Sequence, residues 1–245
     1  MTGIALAFSW LTVFPIKGPN TIDRNAAGKA IAAAPVVGLV LGAVAAGALW
    51  LTSHALTPLL AGLIAVGILA LLTRGMHIDG LADTIDGLGS YGSPERAREV
   101  MKSGGAGPFG VAALIFAIGI QAAAFAHLAE QHRWAAVVAA VALGRVAVVI
   151  ACRQGIPAAP DAGFGALVAG TQSKLTVGAW TLVAIIASAA ATTWWLGPLV
   201  AIAALAITAS IVTHCLKRFG GLSGDVLGAT VEITTCVAAL GFSLN

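Results

Sequence analysis

Charge is what this sequence has least of: only 9% of its 245 residues are Asp, Glu, Lys or Arg, against about 25% in an ordinary soluble domain. Hydrophobic residues make up 59%. That balance excludes a water-solvated globule and points to lipid as the solvent. Cysteine is also scarce. Cys152, Cys215 and Cys236 stand far apart with no CxxC pair, which excludes a disulfide scaffold or thiolate zinc site and leaves packing roles. The net charge of +3 is neither clustered nor interleaved with aromatics, so a nucleic-acid partner is excluded. No basic residue precedes the first apolar run and no small-residue cleavage site precedes Pro15, so Met1–Ile16 is expected to stay in the protein. No soluble domain, long linker or convincing internal repeat is visible, which makes residues 1–245 one integral membrane domain.

What the chain has is long apolar segments. A spanning helix needs about 20 mostly apolar residues, and segments 31–53, 58–73, 108–128, 134–152, 176–196, 197–216 and 226–244 qualify, the second being short. The expected fold is all-α, a polytopic transmembrane bundle of about seven spans. The stretch Met1–Ile16, broken by Ser9, Thr12 and Pro15, is expected to form a short interfacial or partly inserted helix. With the 74–107 loop in the cytoplasm, alternating spans put every basic residue except Arg133 and Arg145 on that side. The positive-inside rule therefore predicts a cytoplasmic amino terminus and acidic loop. Gly38, Gly42 and Gly47, like Gly62 and Gly67, permit close helix approach in lipid.

The loop 74–107 carries half of the ten acidic residues: Asp79, Asp83, Asp86, Glu95 and Glu99. In His77-Ile-Asp-Gly-Leu-Ala-Asp-Thr-Ile-Asp86, helical geometry turns Asp83 about 40° one way from Asp79 and Asp86 about 20° the other. Three carboxylates on one face near low dielectric require raised pKa values or a counter-cation, and oxygen donors suit a hard ion such as Mg²⁺. A merely solvated acidic face is the plainer alternative. Ionisable groups beside spans are costly, however, and the intervening Gly80, Ala82 and Thr84 leave room for a substrate. His77 suits metal, phosphate or proton chemistry, or a structural hydrogen bond at a helix boundary.

Two further segments bear chemistry. Lys102 precedes the glycine-rich run 103–110, where backbone N–H groups at a helix start, Gly107 among them, can meet phosphate. No Walker A pattern is present, and the run also reads as a plain connecting turn. Asp225 and Glu232 lie seven residues apart on one predicted helix face, and Glu232, two turns deep in a span, needs a proton, a partner or a metal. Arg145, inside the fourth span, needs a carboxylate or a bound phosphate.

These segments, together with Phe8–Pro15, Pro35–Gly42, Arg98–Gly110, Gly163-Phe164-Gly165 and Gly220–Glu232, resemble the cobalamin synthase family of membrane adenosylcobinamide-GDP ribazoletransferases along nearly the whole chain. The resemblance implies a transferase of cobalamin biosynthesis in a bacterial or archaeal cytoplasmic (inner) membrane. In that reaction the 5′-hydroxyl of α-ribazole, or of its 5′-phosphate, attacks the cobinamide-linked phosphate of adenosylcobinamide-GDP and GMP leaves. Taken with the residues, it implies Mg²⁺ as cofactor, with Asp79, Asp83, Asp86, Asp225 and Glu232 as the metal set. It further implies catalytic roles for Asp79, Asp83, Asp86 and His77, and substrate binding by Lys102, Gly107, Gly221, Gly224 and Arg145. Both substrates and the lipid bilayer are the expected partners, with a homo-oligomer or other cobalamin-pathway enzymes as further ones. In one place the chain departs from the pattern: Met101-Lys-Ser-Gly-Gly105 stands where the family usually has Met-Lys-Asp-Ser-Arg, so one acid and one base are missing. A CDP-alcohol phosphotransferase-like enzyme and an ion-coupled transporter are the competing readings. The first lacks its longer Asp-Gly-x-x-Ala-Arg arrangement, and the second lacks repeated halves with midplane carboxylates.

Overall fold

The computed structural model describes residues 3–18, 21–160 and 163–244. Among them it is all-helical, in the order α1 (Gly3–Leu11), α2 (Arg24–Ser53), α3 (Pro58–Leu72), α4 (Met76–Gly89), α5 (Pro94–Met101), α6 (Pro108–Glu130), α7 (Trp134–Ala151), α8 (Phe164–Val168), α9 (Lys174–Ala191), α10 (Leu196–Phe219) and α11 (Gly224–Phe242). Six of these (α2, α6, α7, α9, α10 and α11) are long and apolar enough to cross a membrane. With 15 residues, α3 spans only about 22 Å at 1.5 Å per residue, short of a ~30 Å hydrocarbon core. The seven expected spans are therefore present as six full helices and one short one.

Local chemistry sets the ends. Asp23 accepts a hydrogen bond from the Ala26 N–H at 2.7 Å, and this cap starts α2 seven residues ahead of the apolar boundary predicted at 31. Ser173 and Ser223 cap α9 and α11 in the same way, accepting from the Thr176 N–H at 3.1 Å and the Val226 N–H at 3.3 Å. Pro58, Pro94 and Pro108 each begin a helix, where the missing N–H costs nothing.

The bundle is organised around α7, which is buried against α2 on one side and α11 on the other. Small residues make these approaches close. A Cβ on Gly38 or Gly42 of α2 would sit 2.9 Å from the Cα of Ala142 or Val138 on α7. A Cβ on Gly144 of α7 would meet the Val231 carbonyl of α11 at 2.9 Å. Toward the periphery, α9 exposes Leu175, Leu182, Val183 and Ile186. Such an apolar outer face is costly in water and favourable in lipid.

The feature that positions the site is a break between α3 and α4, where the axis turns by 92°. Arg74 and Gly75 both adopt positive φ, 56° and 70°, and the turn is tied to the end of α1. The Arg74 guanidinium donates to the Trp10 carbonyl at 2.6 Å, and the Val13 N–H donates to the Leu72 carbonyl at 2.8 Å. As a result α4 leaves the direction of the spans at one end of the bundle. The segment 74–107, expected as a polar loop with a helical acidic stretch, is two helices joined by a short turn. The long 153–175 connection likewise contains α8 and one isolated bridge, Arg153 to Gln172, and a second bridge ties its Ala158 to Leu222 ahead of α11.

Candidate active site

The acidic stretch is helical, and its glycines are what bring it to α11. A Cβ on Gly80 would lie 2.7 Å from the Asp225 carbonyl oxygen, and one on Gly228 would lie 3.0 Å from the Met76 carbonyl oxygen. Each helix thus offers a bare backbone where the other presses closest. This contact places the start of α11, and Asp225 with it, beside the first turns of α4.

Asp79, Asp83 and Asp225 line one open polar cavity of about 380 Å³, together with Lys102 and the Gly104–Ala106 turn. Burial pushes the Asp83 carboxyl up to about 6, with Asp79, Asp225 and Asp86 adding to the shift. Like charges have been gathered in one place, and Lys102 is the cation that lines the cavity with them. Among the described residues no three carboxylate, histidine or cysteine groups converge into a ready-made cage. Mg²⁺ does not require such a cage, since it keeps several waters and can be held by one or two carboxylates together with substrate phosphates.

Asp86 shares the α4 face but has other neighbours. It is 8% exposed and accepts hydrogen bonds from the Gly107 N–H at 2.6 Å and the Gly110 N–H at 2.8 Å. It therefore caps α6 across the chain. A Cβ on Gly110 would overlap the Asp86 carboxylate, which is why glycine stands there. The Gly107 amide, expected to face phosphate, is taken up by the same carboxylate.

Glu232 also lies apart from the polar cavity. Its carboxylate accepts from Gln121 Nε2 at 2.8 Å, and the Arg145 charge is close enough to act on it. Buried Arg145 donates to the Val141 carbonyl at 3.3 Å and stands 3.4 Å from Nδ1 of His77. Burial, reinforced by Arg145, holds His77 well below the usual imidazole range, so it is a neutral ring. Arg145 is thus behind His77, in a polar cluster that links α4, α6, α7 and α11.

A second cavity, of about 360 Å³, adjoins the first. Its walls include Trp10, His77, Asp79, Phe164, Asp225 and Val231, so Asp79 and Asp225 are common to both spaces. Gly224 lies at its rim. Gly221 serves the local fold instead. Its φ is 152°, and a Cβ there would overlap the backbone at Ala158 and Ala159, where the Leu222 N–H donates to the Pro157 carbonyl at 2.9 Å. Trp10 and Phe164 were not singled out by residue-level reasoning. The signal available was that both fall in segments that carry the family resemblance. Arg98 was missed too: it lines a small recess with Lys102 and Asp225, and its guanidinium donates to the Phe219 carbonyl at 2.9 Å.

The family model for cobalamin-5-phosphate synthase matches residues 3–243. The chain is 37% identical to the adenosylcobinamide-GDP ribazoletransferase of Corynebacterium efficiens, over 97% of this chain and 90% of that relative. It is 38% identical to the Nocardioides sp. protein of the same name, over 97% and 96%, and 35% identical to that of Frankia casuarinae, over 98% and 93%. No solved structure matches the chain.

Proposed function

The chain belongs to the cobalamin-5-phosphate synthase family, and on that premise we propose that it is a Mg²⁺-dependent adenosylcobinamide-GDP ribazoletransferase. The observation that carries the reading is that Asp79 and Asp225 stand in a wall shared by a polar and an apolar cavity. A phosphate-bearing substrate on one side and a nucleoside on the other would meet there. The family and the gathering of Asp79, Asp83 and Asp225 at one end of the bundle favour this over an ion-coupled transporter or a CDP-alcohol phosphotransferase.

In this reading the pyrophosphate of adenosylcobinamide-GDP enters the polar cavity, where Lys102 and the 104–106 turn face it. Asp83 of α4 and Asp225 of α11 would hold Mg²⁺ together with substrate phosphate, with Asp79 left beside them in the shared wall, and the ion when bound would supply charge neutralisation of phosphate oxygens. The 5′-hydroxyl of α-ribazole, or of its 5′-phosphate, forms a bond to the cobinamide-linked phosphorus. The bridging P–O bond to GMP breaks and GMP departs with that electron pair. The hydroxyl proton passes to a carboxylate of the shared wall. Neutral His77 lines the nucleoside side as a hydrogen-bonding and positioning group. Asp86 and the Glu232–Gln121–Arg145 cluster act indirectly, holding α6, α7 and α11 against α4. The basic residues at this end support a cytoplasmic placement of the site in a bacterial inner membrane.

Protein purified in lipid nanodiscs is expected to release GMP from adenosylcobinamide-GDP only when α-ribazole and Mg²⁺ are both present. Absence of metal-dependent GMP release would sink the reading. Lys102→Ala is expected to lower kcat/KM for adenosylcobinamide-GDP by about tenfold or more, the scale of one charge-assisted contact. The KM for α-ribazole should stay unchanged. Equal effects on both substrates would remove Lys102 from the phosphate side.

A further inference from the structure

We propose that the cavity behind Trp10 and Phe164 is the subsite for the planar aromatic base of the attacking nucleoside, and that these two rings form the surface the base packs against. The identity of the occupant rests on the transferase reading above.

The cavity measures about 360 Å³, within the range of about 300–1,000 Å³ usual for small-molecule sites. Its polarity is one-sided. His77, Asp79 and Asp225 contribute the ionisable side chains, and the remaining wall is hydrocarbon and aromatic, including Ile31, Val148 and Leu227. A nucleoside has the same asymmetry, a hydroxylated sugar at one end and a flat base at the other. With the base among the apolar groups, the sugar is left at the wall that opens to the polar cavity.

The aromatic pair is suited to a ring. Trp10 and Phe164 meet edge to face, with centroids 5.1 Å apart and planes at 75°, and so form a corner that offers a further ring both a face and an edge. Trp10 is also held in place from behind, since Arg74 grips its carbonyl at the rigid turn between α3 and α4. A contact surface fixed before binding lowers the ordering cost of the complex.

The other aromatic group in the reaction is the guanine of adenosylcobinamide-GDP. Guanine presents several N–H and C=O groups on its edge, and each one buried without a partner costs about 1–3 kcal/mol. The one strong hydrogen-bonding side-chain group on the apolar wall is the Trp10 indole N–H, a donor, which leaves the N–H groups of guanine without an acceptor there. A dimethylbenzimidazole base carries only methyl groups and ring C–H on its carbocyclic half, so burying it there leaves nothing unmet. The corrin macrocycle is far too large for the space.

Equilibrium binding of labelled α-ribazole to the protein in nanodiscs tests this without turnover. Trp10→Leu and Phe164→Leu are each expected to weaken α-ribazole binding by up to about tenfold, the scale of an aromatic pair. Trp10→Phe should retain most of the affinity, and adenosylcobinamide-GDP binding should change less than twofold in all three variants. Unchanged α-ribazole affinity in both leucine variants overturns the proposal. So does an equal loss for the two substrates, or no α-ribazole binding by the unsubstituted protein. Trp10-dependent α-ribazole binding by a protein that releases no GMP would leave the subsite standing and the transferase reading wrong. Normal turnover by Trp10→Leu with an unchanged KM for α-ribazole would do the reverse.

Discussion

Asp83→Asn is expected to lower GMP release by about 10²–10³-fold or more, the scale of removing one preorganised charge from a reaction centre, while the protein stays folded and inserted. The stability half of this expectation follows from the same geometry. Burial and the neighbouring carboxylates raise the Asp83 carboxyl to about 6, above an ordinary aspartate. A carboxyl raised in the folded state contributes its stability below the ordinary aspartate range and loses it as pH rises through about 6. At neutral pH and without metal, ionised Asp83 therefore works against the fold, and Asn relieves that repulsion at nearly constant size. In Mg²⁺-free buffer the thermal midpoint of Asp83→Asn should equal or exceed that of the unsubstituted protein. A fall in both activity and midpoint would make Asp83 a structural residue.

Asp86→Ala should show the opposite pattern, a large loss of stability with activity falling as a consequence. Removing that carboxylate strands the part-buried Gly107 N–H and the buried Gly110 N–H at a helix start, where a lost cap alone costs about 0.5–2 kcal/mol and an unmet buried donor about 1–3 kcal/mol. The thermal midpoint should drop by several degrees. Asp86→Asn keeps one acceptor oxygen and should recover part of that drop. In whatever folded fraction remains, the Mg²⁺ concentration for half-maximal activity should be unchanged. A stable Asp86→Asn with a sharply raised Mg²⁺ requirement would return Asp86 to the metal set.

The contrast between Asp83 and Asp86 marks how far the sequence could be read. Helical periodicity is local, and it correctly put Asp79, Asp83 and Asp86 on one face of α4. It carries no information about which neighbour that face meets. Asp86 is claimed by amides 21 and 24 residues away, whereas Asp83 shares its cavity with Asp225 of the last helix. The spans were legible for the reason that lipid demands long apolar runs, and the starts that moved, such as α2 at Arg24, moved because capping side chains extend a helix past its apolar part. The 92° break was not legible. It depends on two successive residues, Arg74 and Gly75, taking positive φ, and on their anchoring to α1. The aromatic corner escaped for a similar reason, since Trp10 and Phe164 are brought together only by the packing of α1 and α8 around α2.

Lys102 and the 103–105 departure can also be placed. Of the segment that departs from the expected pattern, Gly104 and Gly105 line the polar cavity along with Asp79, Asp83 and Asp225. Lys102 remains there as a cation, and Arg98 stands beside it in the adjoining recess. Positive charge is thereby retained in and beside the cavity.

The central claim is that carboxylates of α4 and α11 jointly hold the divalent ion at which the phosphate is transferred. Mn²⁺ bound in place of Mg²⁺, measured by electron paramagnetic resonance with adenosylcobinamide-GDP present, tests it most directly. The account predicts substrate-dependent Mn²⁺ binding in the unsubstituted protein, its loss in Asp83→Asn and in Asp225→Asn, and its retention in folded Asp86→Asn. Undiminished Mn²⁺ binding in both Asp83→Asn and Asp225→Asn would contradict it.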